Sequence, residues 1–325
     1  MNQEQFIARH EPEWRQLEAW LDESLKKDAR AERTAGTDFP HLYRQVCHHL
    51  ALARTRMYSR QLIERLADLV LRGHQCLYRR RTGFWRRIGH FAAAGFPRLV
   101  RREWRVMLLS IALFFGPLLG MIGAIQLNPD LVYTVIEGAQ VRQMEAMYSP
   151  ELQERVGRER EADSDFLMFG FYIRNNTTIG FQTFAGGLLF GLGTLFYLLF
   201  NGLYIGTIAG HLTSLGYVET FWGFVSGHSA FELTAIVLSG AAGLKLGGAL
   251  VSPGPRTRAL ALRESGRTGI RLVYGAAVLF LLAAFVEAFW SSIAWMPFSV
   301  KVATGASLWT LLLAYLLLLG RERAA

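Results

Sequence analysis

The stretch SGHSAFELTAIVLSGAAGL, residues 226–244, is apolar enough for the interior of a lipid bilayer, yet it carries His228 and Glu232 four residues apart. On a helix these two share one face, about 6 Å apart along the axis. An ionised side chain at mid-bilayer costs about 2.5–3.5 kcal/mol on insertion scales, and an interhelical hydrogen bond returns only about 0.6 kcal/mol. The pair therefore belongs against protein or water, and the helix that bears it belongs inside a bundle.

Working outward, five further apolar runs reach membrane-spanning length: Val106–Leu127, Thr178–Phe200, Leu203–Val218, Leu272–Met296 and Val300–Leu319, with Ala230–Val251 as the run that holds Glu232. The segment 128–174 has nine acidic residues against five arginines and reads as an external helical loop, whereas 252–271 has five arginines against Glu264 and reads as cytoplasmic. Six spans with both termini in the cytoplasm satisfy every loop. The expected fold is all-α: a polytopic membrane bundle over 106–320.

Ahead of it the composition changes. Met1–Arg105 holds 21 Lys and Arg against 12 Asp and Glu, an excess equal to the formal net charge of +9 for the whole chain. Phe6, Trp14, Leu17 and Leu21 repeat at helical spacing, ERTAGTDFP interrupts, and Leu42, Val46, Leu50, Leu62, Leu66 and Leu69 resume it. This predicts a cytoplasmic helical hairpin over 1–83. Residues 84–105 predict a basic amphipathic helix on the inner membrane surface, with Arg79, Arg80, Arg81, Arg86, Arg87, Arg101 and Arg102 facing anionic lipid and tryptophans interleaved. Specific nucleic-acid binding is not expected from this arrangement. Cys47 and Cys76, the only cysteines, are expected as free thiols of a reducing compartment. Asp130 and Ser149 are expected to cap external helices, and Asp165 to begin a further one.

Gly187, Gly191, Gly202, Gly206, Gly210, Gly243 and Gly247 recur at intervals of four and predict close helix packing in lipid. Asn201–Gly202 is the expected turn between the second and third spans, and Lys245 is expected to reach the inner surface. The topology brings Asn175, Asn176 and Glu287 to the depth of His228 and Glu232, which makes an outer-side polar cluster the candidate site. Three readings stay open: a buried pair that sets helix register, a path for a proton or solute, and a metal site. His-x-x-x-Glu supplies two ligands where zinc needs three or four. No P-loop, GxSxG, HExxH or EF-hand pattern occurs, so no cofactor and no catalytic residue is predicted.

FPRLVRREW, RNNTTIGFQTFAGGLLFGLGTLFYLLFNG and GHSAFELTAIVLSGAAGLKLG together resemble the stage II sporulation protein M family of polytopic bacterial membrane proteins, over about Phe96–Leu319. The paired Asn175–Asn176, Asn201–Gly202 and the stretch His228–Leu233 carry the resemblance, with Ser229 where the family usually has glycine. It implies a multi-pass inner-membrane protein; our own expectation is a non-enzymatic scaffold or permease-like subunit, homo-oligomeric as a homodimer, with its polar site on the outer side. Longer relatives stand beside MoxR-type AAA ATPases and von Willebrand A-domain proteins, which are the implied partners. The alternative is an intramembrane metal-dependent hydrolase using His228 and Glu232.

Overall fold

The computed structural model describes residues 1–26, 39–78, 84–151, 162–293 and 295–321, and among these every regular element is helical. The chain divides into two compact units, Met1–Arg86 and Arg87–Ala325.

Among its described residues up to Tyr78 the first unit has three helices rather than the two of a hairpin: α1 (Gln3–Lys26), α2 (Phe39–Thr55) and α3 (Arg60–Tyr78). The second periodic stretch breaks at Met57, whose φ of 52° is left-handed. No glycine or proline marks that break. It is held from a distance instead, because Ser59 N donates to Gln3 Oε1 at 2.7 Å and Tyr58 Oη donates to Met1 O at 2.9 Å. The residues at helical spacing form the core, with Phe6, Trp14, Leu17, Val46 and Leu66 fully buried. Burial contributes about 1.5–3 kcal/mol for each large apolar side chain. Cys47 and Cys76 are half-buried and free of disulfides.

The segment leading into the bundle is helical across Phe84–Arg102 but not uniform: α4 (Phe84–His90), a wide π turn over Phe91–Gly95, and α5 (Phe96–Arg102). Arg86, Arg87 and Arg102 are exposed, and Arg79, Arg80 and Arg81 lie outside the described residues. Arg101 is not a free surface charge. Its guanidinium donates to Leu316 O at 2.5 Å and Leu319 O at 2.7 Å, and Arg98 donates to Gly320 O. These are carbonyls left unpaired by the end of the last helix, where a cation also meets the negative end of the helix dipole.

Among the described residues, five helices are long and apolar enough to cross a membrane: α6 (Trp104–Leu127), α10 (Leu192–Ser214), α11 (Val218–Val251), α12 (Arg258–Val286, continued by a π turn to Ser291) and α13 (Phe298–Leu318). Short helices α7 (Val132–Val135) and α8 (Gly138–Tyr148) follow α6. Helix α9 (Ala162–Ala185) matches α6 in length at 24 residues and packs along α11 and α12, although it is too polar to count among the five. In α11, 67% of the most apolar stretch is buried, against 22% in α6 and 17% in α13. α11 is therefore the central post. Leu108, Leu119, Phe196, Leu311 and Leu317 are exposed, as a lipid-facing surface requires.

The second and third spans differ from expectation in where they reverse. Asn201 and Gly202 lie within α10, not at a turn. The reversal falls at Gly186–Gly191, with Phe190 at φ 55° and Gly191 at φ 86°. Asn201 Nδ2 donates to Tyr197 O at 2.7 Å, so its amide is satisfied by its own helix. Nor does a new helix begin at Asp165: the chain is helical from Ala162, and Thr178 Oγ1 donates back to Arg174 O at 2.7 Å. The turn after α6 is capped by Asn128, whose side chain accepts from Asp130 N at 3.3 Å, rather than by Asp130. Ser149 follows α8, and the helix expected after it runs into residues outside those described.

The glycine spacing corresponds to real close approach. A Cβ at Gly202 or Gly206 would enter the backbone of α6 at Phe114 or Leu118, and one at Gly210 would lie 3.1 Å from Ile122 Cα. Gly187 rests on the backbone of Gly243, and Gly191 on that of Gly247. Lys245 is paired rather than merely extended to the surface: its Nζ is 2.6 Å from Glu103 Oε2, the one acid of the arginine-rich stretch.

Candidate functional site

α11 presents His228 and Glu232 toward the start of the helix, and the π turn that ends α12 presents Glu287 and Ser291 beside them. His228 is buried, and its Nε2 lies 3.7 Å from Glu232 Oε2. Its Nδ1 lies 3.1 Å from Ser291 Oγ. One ligating atom from each of His228, Glu232 and Glu287 can be chosen so that all lie within 4.8 Å of one another. Glycine makes room for this: a Cβ at Gly227 would meet the Trp290 ring at 2.6 Å.

α9 adds Asn176, which is buried, while Asn175 is exposed and donates through Nδ2 to Asn176 Oδ1 at 3.1 Å. Asn176 Nδ2 and Glu287 Oε2 are buried atoms with no hydrogen-bond partner. Of the paired asparagines, then, one faces the cluster and one supports it. Lys301 of α13 donates from Nζ to Ser291 O at 3.0 Å. Ser229 accepts from Trp309 Nε1 at 3.1 Å, a tie to α13 that glycine at this position could not make.

The short helices after α6 close the site from the side. The Phe224 ring stands edge-on to His228 at 5.3 Å, and the Tyr148 ring of α8 packs on Phe224 at 6.1 Å. Burial, reinforced by the nearby Glu287, Tyr172 and Glu232, holds the Tyr148 phenol well above its ordinary range, so it is a neutral hydrogen-bond donor. α8 is pinned there by Thr220 Oγ1, which donates to Tyr148 O at 2.7 Å, and by His211 Nε2, 2.7 Å from Glu145 Oε1.

All four polar positions expected to converge with His228 do so except Asn175, which acts through its neighbour. Ser291, Tyr148 and Gly227 were not legible. Ser291 is a common residue four positions after Glu287, and Tyr148 lies in a segment with no distinguishing motif. In the first unit, His49 joins His10 and Glu13 of α1 in a second cluster, also within 4.8 Å.

A family model described as stage II sporulation protein M matches residues 106–292, and a domain of unknown function matches 4–79. An uncharacterized protein of Methanocaldococcus jannaschii is 30% identical over 83 residues, which cover 25% of this chain and 47% of that protein. The chain thus spans about half the length of that curated relative. No solved structure matches.

Proposed function

Since the chain belongs to the stage II sporulation protein M family, we propose that it is a non-enzymatic, permease-like subunit of a bacterial cytoplasmic membrane with a solute or proton site at its outer side. The observation that carries this reading is the convergence of His228, Glu232 and Glu287 from two long apolar helices, with Asn176 from a third. Such residues at membrane depth serve transport or coupling far more readily than packing, given their cost in lipid.

Six crossings follow if α9 spans with the five apolar helices. The arginines of α5 and of 252–271 then face the cytoplasm together with both termini, and α7 and α8 lie outside. The protein works as a homodimer, and its first unit engages cytoplasmic partners of the AAA ATPase and von Willebrand A-domain classes. A second reading, an intramembrane metal-dependent hydrolase, draws on Glu287, which supplies the third donor that His228 and Glu232 lack.

The test places single cysteines, His228→Cys or Glu287→Cys, in a Cys47→Ser/Cys76→Ser background and adds a membrane-impermeant thiol reagent from outside. Tyr133→Cys on α7 is the topology control. Labelling at 228 and 287 supports a solute-accessible site. Labelling at 133 alone overturns the permease reading and leaves a scaffold, and labelling at 133 only from inside overturns the topology.

A further inference from the structure

Three groups that can each offer an electron pair meet at the polar site. In the tautomer that carries its proton on Nδ1 and donates it to Ser291 Oγ across 3.1 Å, His228 Nε2 keeps its lone pair, and it faces Glu232 Oε2 at 3.7 Å. Histidines that ligate metals are held in this way, by a hydrogen bond from the other ring nitrogen that fixes tautomer and ring plane. Glu287 brings a second carboxylate within reach, and its Oε2 is buried without a partner.

Two carboxylates and an imidazole lone pair in a lipid-shielded place repel one another unless they take up a proton or a cation lies between them. The groups that surround them do not supply it. Lys301 spends a hydrogen bond on the Ser291 carbonyl at 3.0 Å. The Tyr148 phenol is neutral, and the Asn176 amide beside Glu287 is only a dipole. At metal–ligand distances of about 2.0–2.2 Å and tetrahedral angles, zinc ligand atoms sit about 3.3–3.5 Å apart. The His228–Glu232 approach of 3.7 Å needs to close by only a few tenths of an ångström.

We propose that His228 Nε2, Glu232 and Glu287 coordinate a first-row divalent metal ion of the zinc type, oriented by Ser291 and Asn176 and open at a fourth position. One nitrogen with two carboxylates suits zinc, manganese or iron(II); calcium and magnesium prefer all-oxygen sites and copper(I) prefers sulfur. The inference rests on the polar-site reading above and names what occupies that site.

The experiment uses the full-length protein in detergent, stripped with a chelator and reloaded with Zn²⁺, with Co²⁺ as a spectroscopic probe. Metal content and the visible cobalt bands are read alongside the thermal midpoint with and without Zn²⁺. The expected result is one ion per chain in the wild type, a midpoint raised by Zn²⁺, and at least tenfold weaker binding in Glu287→Gln and Glu232→Gln. Ser291→Ala weakens binding while leaving the ligands in place, and serves if a glutamine variant fails to fold. His49→Ala, which disrupts the other cluster, leaves the cobalt bands unchanged. Wild-type metal content equal to that of Glu287→Gln overturns the proposal. If the wild type holds no metal yet His228→Cys labels from outside, the metal falls and the permease reading stands. If metal binds but residue 228 does not label, the ion is structural and the permease reading falls.

Discussion

His10, Glu13 and His49 sit at the rim of an aromatic core, whereas His228, Glu232 and Glu287 sit among helices drawn together by glycine. The residue types are nearly the same and the surroundings are opposite. In the first unit Trp14 Nε1 donates to His49 Nδ1 at 3.2 Å, and the rings of His10 and His49 lie tilted at 38° with centroids 4.0 Å apart. Glu13 Oε2 lies 3.4 Å from His10 Nδ1 and 3.7 Å from His49 Nδ1. A tryptophan already engages the lone pair that a metal would need there. In the bundle the corresponding partner is a serine hydroxyl on the far nitrogen, which leaves the near one facing the carboxylates. The two clusters thus differ in which neighbour engages the histidine and at which distance from the carboxylates.

The sharpest way to break the comparison is to remove the aromatic support. Trp14→Ala is expected to cost about 3–5 kcal/mol, because it empties a fully buried site and leaves His49 without its donor. Hydrogen exchange on the full-length protein should show α1–α3 opening while the bundle helices stay protected. Equal protection in α1–α3 would mean that the unit does not depend on this core.

Next comes the glycine packing. Gly206→Leu is expected to lose about 1–3 kcal/mol or more, since the new side chain enters the α6 backbone at Leu118. Gly116→Leu, where nothing lies within 4 Å, should be nearly neutral. A thermal shift in detergent that treats the two alike would remove backbone contact as the basis of the bundle.

This contrast also explains what the sequence could and could not reveal. The glycine period pointed to the helix contacts, and the apolar runs to four of the spans, because both patterns repeat with the helix itself. The break at Met57 and the reversal at Phe190–Gly191 were not legible from local chemistry. Asn201–Gly202 has the residues of a turn but is held within a helix by its own amide, whereas Gly186–Gly187 reverses because it must pass against Gly243 and Gly193. His228, Glu232, Glu287 and Asn176 could be brought together from depth alone. Ser291 and Tyr148 depend on the packing of particular side chains, which no periodicity encodes.

A smaller effect separates the clusters by pH. Burial, and then the neighbouring His10, push His49 below its ordinary pKa of 6.5. The folded unit therefore binds fewer protons than the unfolded chain, and its stability is complete above about pH 6.5 and declines as the pH falls below it. Proteolysis of α1–α3 in the full-length protein should accelerate between about pH 7 and 5, and His49→Gln should flatten that slope. An unchanged slope in the variant would assign the acid sensitivity elsewhere. The smallest effect is expected at the exposed pair Arg60–Glu64: Arg60→Ala should change stability by no more than about 0.5 kcal/mol. A larger loss on the same thermal assay would mean that surface charge contributes more to the first unit than its aromatic core suggests.

The polar character of α9 bears on how the protein is made. In the six-crossing arrangement, a translocation channel that sorts segments one at a time has little reason to release Ala162–Ala185 into lipid, because it falls short of the apolarity of its neighbours. Its partner across the Gly186–Gly191 reversal, Leu192–Ser214, has that apolarity. In that arrangement the two would enter as one hairpin, the later helix drawing in the earlier, with Asn176 carried inward as a passenger. Biogenesis of the polar site would then wait on a stretch of chain synthesised after it.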